Sequence, residues 1–156
     1  MDRNIILQEF LKGKGEIVDG FLASAGPFFD PSIVPVAYDK DKAVQLLEEA
    51  KAEGWDPSTE YNFYVNSGDT TFTQVASYLA AQFAEIGLKI KVNTVDLSTL
   101  MTVAGSGDFD LLAVQYSYIP VDIFTDANWL LSAGGWTRYQ NDEVTKALMD
   151  TQVTTD

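Results

Sequence analysis

The sequence predicts an α/β protein whose mostly parallel sheet is built from βαβ units and flanked by helices. Two observations carry this prediction. A strand-like segment, an amphipathic helix and a second strand-like segment follow one another over residues 61–92 with short links. A further helical pattern then leads to a third, strongly apolar strand-like segment at residues 109–114. Short links of this kind favour parallel strands joined by crossover helices.

The composition narrows the class of protein. The chain has 156 residues, so we expect residues 1–156 to form a single domain with a sizeable core. Lys and Arg number 10 against 23 Asp and Glu, and the net charge of −13 disfavours nucleic acids and anionic membrane surfaces as partners. The absence of Cys and His excludes disulfides, thiol nucleophiles, imidazole bases and most zinc or copper sites.

The chain begins with a helical pattern that leads into an irregular arm. Apolar residues recur at helical spacing at Ile6, Leu7, Phe10 and Leu11. Gly13 can end this turn, and residues 13–38 are rich in Gly and Pro with little periodicity, as in an arm laid over a surface. Phe28 and Phe29 have no periodic role, so residues 20–35 are a candidate surface for contact with a partner.

Two amphipathic helices flank the first strand. Asp39 is a candidate N-cap of the first helix and Gly54 a candidate stop, around an apolar stripe of Ala43, Leu46, Leu47 and Ala50. Residues 61–65 (YNFYV) alternate and are rich in aromatic residues, which indicates a strand. The second helix carries the apolar stripe Phe72, Val75, Ala76, Leu79, Phe83 and Ile86.

The remaining elements repeat the pattern. Residues 88–92 (LKIKV) alternate strictly, with Leu88, Ile90 and Val92 expected to face inward. Asp96 can cap a helix whose apolar residues are Leu97, Leu100, Met101 and Ala104. Residues 109–114 (FDLLAV) are almost continuously apolar, which is typical of a central parallel strand covered on both faces. Two further helices are expected, near 122–132 and, capped by Asn141, near 142–150.

Polar residues follow the strands where they end. In an open α/β sheet, ligands collect outside the carboxyl ends of the strands. The candidate ligand-binding residues are therefore Gln115, Tyr116, Ser117 and Tyr118 after the third strand and Asn66 with Ser67 after the first. The alternatives are tyrosines that cap the core with their hydroxyls in water, and an Asx turn or helix cap at Asn66 and Ser67. Trp136 is a further candidate, facing either a ligand or a neighbouring part of a larger protein.

No catalytic constellation can be recognised in the sequence. Residues 105–109 lack the Lys and the spacing of a phosphate-binding loop, and residues 39–50 lack the Gly of a calcium loop. We therefore expect a binding protein, with no cofactor, no metal and no enzymatic activity. Two alternatives stay open: a hydrolase using carboxylates such as Asp108 and Asp110, and a phosphoacceptor domain using Asp96.

Several segments, in their order along the chain, match motifs of one known family. The most specific is YDKDKAVQLLEEAKAEGW at residues 38–55, and the others are MDRNIILQEFL (1–11), GPFFDP (26–31), YVNSGD (64–69), FAEIGLKIKV (83–92), GDFDLLAVQYSY (107–118) and RYQNDEVTKALMD (138–150). Together they resemble the second, C-terminal lobe of the extracytoplasmic solute-binding proteins of the peptide, dipeptide and nickel class (family 5). These proteins deliver ligands to ABC importers.

The resemblance implies a fold, a mode of binding and a location. The chain would be one lobe of a class II periplasmic-binding-protein-like fold, excised from a larger two-lobed protein. An oligopeptide or similar extended solute would be held between this lobe and the N-terminal lobe, and delivered to an ABC permease in the membrane. The location would be extracytoplasmic, either in the periplasm or at the cell surface as a lipid-anchored protein.

One position departs from the pattern of the family's peptide-binding members. Those members often carry an acidic residue shortly after the third strand, where it pairs with the α-ammonium group of the ligand. Here residues 118–122 read YIPVD, and Ile119 stands at that position, with Asp122 as a candidate substitute about one helical turn further on. An oligosaccharide, a modified peptide or a peptide held by its backbone is therefore an alternative ligand.

Overall fold

The computed structural model describes residues 1–18, 29–33, 36–115, 127–128, 130–132 and 134–153. The elements are α1 (Arg3–Ile5) continuing into a π-helical segment (Ile6–Phe10), α2 (Lys40–Ala52), β1 (Glu60–Asn66), α3 (Thr70–Ala84), β2 (Lys89–Val95), α4 (Leu97–Ser106), β3 (Leu111–Ala113) and α5 (Asp142–Val153). Residues 127–128 and 130–131 are also helical. Across these described ranges, every helix is too short or too polar to cross a membrane.

The chain divides into two compact units. Unit 1 consists of Met1–Ile17, Val36–Val103 and Asp108–Val114, and it contains the sheet and the helices that flank it. Unit 2 consists of Val18–Pro35, Ala104–Gly107 and Gln115–Asp156, and it contains the last turn of α4 and all of α5.

The sheet of unit 1 has three described strands in the order β2-β1-β3. Both pairings are parallel, and Phe63 of β1 lies opposite Val92 of β2 on one side and Leu111 of β3 on the other. Because α3 connects β1 to the adjacent parallel strand β2, the predicted βαβ unit is confirmed.

The strand predicted to be central lies instead at an edge of the described sheet. β3 comprises only Leu111–Ala113, whose residues are all half-buried, and β1 occupies the centre. Among the described strands the prediction of a central place is not met, because an apolar run reports how much a segment is buried and not which strands it pairs with. β1 alternates along its length, so its place at the centre could not be inferred from a continuous apolar run.

The core of unit 1 lies between one face of the sheet and α3. Val65 of β1 and Ala76 of α3 are each 0% exposed, and Phe63 and Leu79 complete the buried cluster. Side chains from the π-helical segment, α3 and all three strands pack around it, namely Ile6, Val75, Tyr78, Phe83, Ile90, Val92, Leu111 and Ala113. The alternation of residues in the strands and the i, i+3, i+4 spacing in α3 therefore place the predicted apolar side chains of the sheet and of the helix in contact.

Side-chain caps determine where the helices begin. Four cap oxygens accept hydrogen bonds from backbone N–H groups at 2.8 to 3.0 Å, in the pairs Asp39–Lys42, Asp69–Phe72, Asp96–Thr99 and Asn141–Val144. The predicted caps Asp39, Asp96 and Asn141 are thereby confirmed. Gly54 and Gly87 follow α2 and α3 with φ of +104° and +91°, a backbone conformation that favours glycine and ends a helix.

In α2 and α4, fewer residues of the predicted apolar stripes are buried than the sequence predicts. No residue of α2 is fully buried, and Leu46 is 50% exposed. In α4, Leu100 and Ala104 are buried, whereas Leu97 and Met101 are exposed. Residues four apart lie on the same face of a helix. Leu100 and Ala104 therefore form a buried face of α4, whereas Leu97 and Met101 form a second face that is exposed.

The predicted arm contains neither helix nor strand in its described parts, which are residues 13–18, 29–33 and 36–38. Phe29 is 39% exposed and Ile33 is 61% exposed, both within unit 2. Phe28 lies outside the described residues. Phe29 is therefore not wholly enclosed within its unit, and the contact surface at residues 20–35 stays a prediction.

We expect truncation of Leu79 to Ala to lower the free energy of unfolding by about 2–5 kcal/mol, because Leu79 is only 9% exposed and its loss leaves a cavity against the sheet. The matched control is Leu46→Ala, the same change at an exposed helical position, for which a change within about 0.5 kcal/mol is expected. Urea unfolding followed by circular dichroism measures both. Equal losses for the two variants would contradict the assignment of the core.

Candidate functional site

The carboxyl ends of the three strands form one edge of the sheet, here called the carboxyl edge. The strands are parallel, so Asn66, Val95 and Ala113 end on the same side. The N–H of Ser67 donates to the carbonyl oxygen of Val95 at 2.7 Å, which extends the β1–β2 pairing one residue past β1. The predicted location of a site at this edge therefore rests on an observed arrangement of strands.

Asn66 stands at the carboxyl edge and forms a local turn. Its Oδ1 accepts a hydrogen bond from the N–H of Gly68 at 3.0 Å, which is the Asx turn that the sequence left open as an alternative. Its side chain is half-buried, and among the described residues its amide nitrogen Nδ2 has no acceptor. One side of the amide thus shapes the turn, while the other retains two N–H donors.

The other predicted residues of this site are described only in part. Gln115 is exposed and directly follows Val114, the last residue of the predicted apolar run. Tyr116, Ser117, Tyr118 and Asp122 lie outside the described residues, as does Ile119. Asn66 belongs to unit 1, whereas Gln115 and Trp136 belong to unit 2, and each is described within its own unit.

Trp136 is half-buried in a loop of unit 2, residues 134–140, here called the Trp136 loop. The N–H of Gly135 donates to the carbonyl oxygen of Ser132 at 3.0 Å, and Gly135 itself is buried. The hydroxyl of Thr137 donates to the carbonyl oxygen of Leu130. Hydrogen bonds therefore hold the loop on both sides of Trp136.

Arg138, which sequence reasoning missed, anchors the same loop. Its Nη2 donates to the carbonyl oxygen of Gly105 in the last turn of α4 at 2.6 Å. A methyl group on Gly107 would lie 3.2 Å from Nε of Arg138, so the guanidinium passes close over a bare backbone. The signal available in the sequence was that Arg138 is one of only two arginines, two residues after a candidate tryptophan.

A polar sheet face was also missed. Asn62 and Tyr64 of β1 are half-buried on the face opposite Phe63 and Val65. Nδ2 of Asn93 in β2 donates to Oδ1 of Asn62 at 3.0 Å, which links the two strands through their side chains. The alternation of Asn and Tyr with apolar residues in β1 was the signal that could have predicted this face.

Asp110, considered in the sequence as half of a catalytic pair, pairs with the backbone of β1. Its carboxylate accepts from the N–H of Asn62 at 2.7 Å, and its own N–H donates to the carbonyl oxygen of Asn62 at 3.3 Å. These bonds extend the β1–β3 pairing by one residue, so a structural role accounts for Asp110. Asp108 is exposed and also interacts within the protein.

Asp96, considered as a phosphoacceptor, is the cap of α4. The backbone N–H of Thr99 donates to Oδ1 at 3.0 Å, and the Thr99 hydroxyl donates to Oδ2 at 2.8 Å. The first of these bonds, and then the second, lower the pKa of the Asp96 carboxyl below its ordinary value of 3.8. Both oxygens are therefore engaged in holding the start of the helix.

A small cavity of about 90 Å³ lies elsewhere in unit 1 and does not belong to the carboxyl edge. It is lined by residues near the start of α2 and the end of α3, namely Met1, Tyr38, Asp39, Lys40, Ala43, Gln82, Phe83 and Ile86. α3 begins at the carboxyl edge and returns across the sheet, so its end lies at the opposite edge. The cavity is also well below the roughly 300 Å³ at which ligand pockets begin.

The fold is that of the periplasmic binding proteins that serve ABC transporters. CtaP, an ABC transporter substrate-binding protein from Listeria monocytogenes, is 20% identical with a TM-score of 0.84, and the match covers 100% of this chain and 33% of that one. AppA, an oligopeptide-binding protein from Bacillus subtilis solved with a nonapeptide, is 23% identical with a TM-score of 0.80, covering 100% and 34%. A periplasmic oligopeptide-binding protein from Thermotoga maritima solved with mannohexaose is 15% identical with a TM-score of 0.85, covering 100% and 34%.

The family itself is established by the sequence. The model of the bacterial extracellular solute-binding proteins, family 5 Middle, matches residues 1–138, and the chain belongs to this family. The resemblance inferred from the motifs is thereby confirmed. The chain spans about a third of the length of each of the three solved proteins.

We expect the stability of the protein to fall in acid partly through Asp96. A carboxyl group whose pKa is lower in the folded state stabilises the fold above its unfolded-state pKa and loses that contribution as pH falls through the folded-state pKa. The loss therefore begins near pH 3.8 and continues below it. Asp96→Asn should show a shallower decline in unfolding free energy over this range, measured by urea unfolding at successive pH values.

The control for this experiment is Asp142→Asn, which removes the same charge from an exposed residue in the first turn of α5. Its unfolding free energy should decline in acid as steeply as that of the unmodified protein. If Asp96→Asn declines as steeply as the unmodified protein, the hydrogen bonds of Thr99 do not stabilise the charged form of Asp96.

Proposed function

We propose that this chain is the ligand-binding lobe of a solute receptor that serves an ABC importer. The lobe captures an oligopeptide, or a similar extended solute, together with a second lobe of the same parent protein, and the receptor delivers the solute to a permease in the membrane. The family match over residues 1–138 is the observation that carries the proposal. The lobe acts by binding and performs no chemistry of its own.

The ligand residues we propose are Gln115, Tyr116, Ser117 and Tyr118, with Asn66, Asp122 and Trp136 as further members. The position of Asn66 at the carboxyl edge supports this choice, because its Nδ2 donors are unused among the described residues. The exposure of the Gln115 side chain also supports it. Amide groups of this kind can donate to and accept from the backbone of an extended peptide or the hydroxyls of a sugar.

A second lobe and an extracytoplasmic location belong to the same proposal. The exposed apolar side chains of Phe29 and Ile33 in unit 2 support a covering partner, since exposed apolar groups that recur in one segment favour protein contact. The family's description as extracellular supports a location outside the cytoplasm, in the periplasm or at the cell surface on a lipid anchor.

An oligosaccharide is the second candidate ligand. Ile119 offers no charge for the α-ammonium group of a peptide, and the aromatic residues Tyr116, Tyr118 and Trp136 suit the apolar faces of sugar rings. A neighbour with the same fold was solved with mannohexaose bound. Peptide and sugar therefore enter the binding test side by side.

We expect this chain by itself to bind its ligand at roughly millimolar affinity. A receptor with micromolar affinity has a binding free energy of about −8 kcal/mol, and a lobe that supplies half of it binds with about −4 kcal/mol. Titration calorimetry with pentaalanine, mixed oligopeptides and mannohexaose measures this. Micromolar affinity for any of them would mean that the chain holds a complete site and needs no second lobe.

We expect Gln115→Ala to weaken this binding by about threefold to tenfold, the effect of losing one hydrogen bond to a ligand. Gln152→Ala is the matched control, because Gln152 is an exposed glutamine in α5 with no place in the proposed site. Amide chemical shifts recorded during titration measure both affinities. An unchanged affinity in Gln115→Ala would remove Gln115 from the site.

A further inference from the structure

We propose that Arg138 is a positioning residue that sets the place of the Trp136 side chain in the ligand site. The ligand-binding role of Trp136 rests on the proposed function, whereas the hydrogen bonds of Arg138 to Gly105 and Gly135 are contacts observed within unit 2. Arg138 does not need to touch the ligand to act in this way.

Arg138 is hydrogen-bonded to the end of α4. The last carbonyl groups of a helix have no partner within the helix, and a cationic donor is the most favourable partner at that end. Nη2 of Arg138 donates to one of these carbonyls, that of Gly105, at 2.6 Å. The loop is thus fastened to a rigid element by a charge-assisted bond.

Gly107 and Arg138 both have positive φ, and the Arg138 side chain approaches the backbone of Gly107. Gly107 has a φ of +74° and carries no side chain, which leaves room for the guanidinium, since a methyl group would lie 3.2 Å from Nε. Arg138 has a φ of +54°, a conformation that is uncommon for residues other than glycine. A strained residue persists only where its surroundings hold it, and the bond to Gly105 is such a restraint.

A backbone turn connects Arg138 to Trp136. The N–H of Arg138 donates to the carbonyl oxygen of Gly135 at 3.3 Å, so the backbone closes a turn around Trp136 and Thr137. The Thr137 hydroxyl fastens the same turn to the carbonyl of Leu130. Trp136 therefore sits in a turn that Arg138 closes and ties to α4, and release of the guanidinium frees that turn on one side.

The guanidinium of Arg138 donates to a backbone carbonyl group, although the chain contains 23 acidic residues. Within the described residues Arg138 forms no ion pair, whereas Lys40, Lys51 and Lys146 pair with Glu85, Glu48 and Asp150. A surface arginine in a chain of net charge −13 has many acidic partners to choose from. The bond from Arg138 to the end of α4 therefore favours a specific structural role for this side chain over a general role in balancing the negative charge.

The test labels the whole chain with 5-fluorotryptophan and records ¹⁹F spectra. The three tryptophans give three resonances, and Trp136→Phe identifies the one that belongs to Trp136. Arg138→Gly is the main variant, because glycine suits the φ of +54° and so removes the guanidinium while the backbone conformation is retained. The expected result is a shifted or broadened Trp136 resonance, with the Trp55 resonance unchanged.

Two further variants complete the spectroscopic test. Arg138→Lys keeps a cationic donor and should restore the Trp136 resonance in part, whereas Arg3→Ala, which removes the other arginine of the chain, should leave it in place. A Trp136 resonance that is the same in Arg138→Gly and in the unmodified chain would overturn the proposal. This outcome needs no ligand, so it is independent of the proposed function.

The ligand arm uses pentaalanine and mannohexaose as probes. If one of them binds, Arg138→Gly and Trp136→Phe should each weaken it severalfold, and the double variant should be no weaker than the weaker single variant, because both changes act through the same ring. Additive losses would overturn the positioning role. If neither probe nor any mixed oligopeptide binds even at millimolar concentration, the proposed function fails, and the ¹⁹F result still decides whether Arg138 places Trp136.

Discussion

The parallel pairing of β1 with both of its neighbours is the constraint on which the rest of unit 1 depends. Phe63 and Val65 can pack against α3 only because the register with β2 and β3 places Val92, Leu111 and Ala113 on the same face. A slip of one residue would turn these side chains to the opposite face and expose them. The same register brings the three strand ends together, so the packing of the core and the position of the candidate site have one cause.

In this arrangement the middle of a strand and its carboxyl end have different roles. The middle of β1 is committed to the core, whereas Asn66 at its end is half-buried and combines a turn with unused donors. Asp69 and Asp96 cap the helices that begin at the same edge, and each accepts a hydrogen bond from a backbone N–H group there. At this edge the Nδ2 donors of Asn66 are among the described groups that the fold leaves unused.

The sequence predicted the local elements well because their signals are local. The caps Asp39, Asp96 and Asn141, the stripe of α3 and the alternation of β1 each involve residues within a few positions of one another. The edge position of β3 and the bond from Arg138 to Gly105 join residues far apart in the chain, and no short pattern encodes them. The position of Asn66 at the carboxyl edge was predictable, whereas the ligand-binding roles of Asn66 and of Tyr116 to Tyr118 stay predictions.

The π-helical segment at Ile6–Phe10 determines where the Phe10 side chain lies on the first helix. The N–H of Leu11 donates to the carbonyl oxygen of Ile6 at 3.2 Å, one residue beyond the span of an α-helical bond, as when a single residue has been inserted into an ordinary helix. Phe10 ends this segment, and its ring centroid lies 5.3 Å from that of Tyr78, with the ring planes tilted by 47°. Deleting one residue from this segment would turn Phe10 by about 100° around the helix axis and separate the two tilted rings.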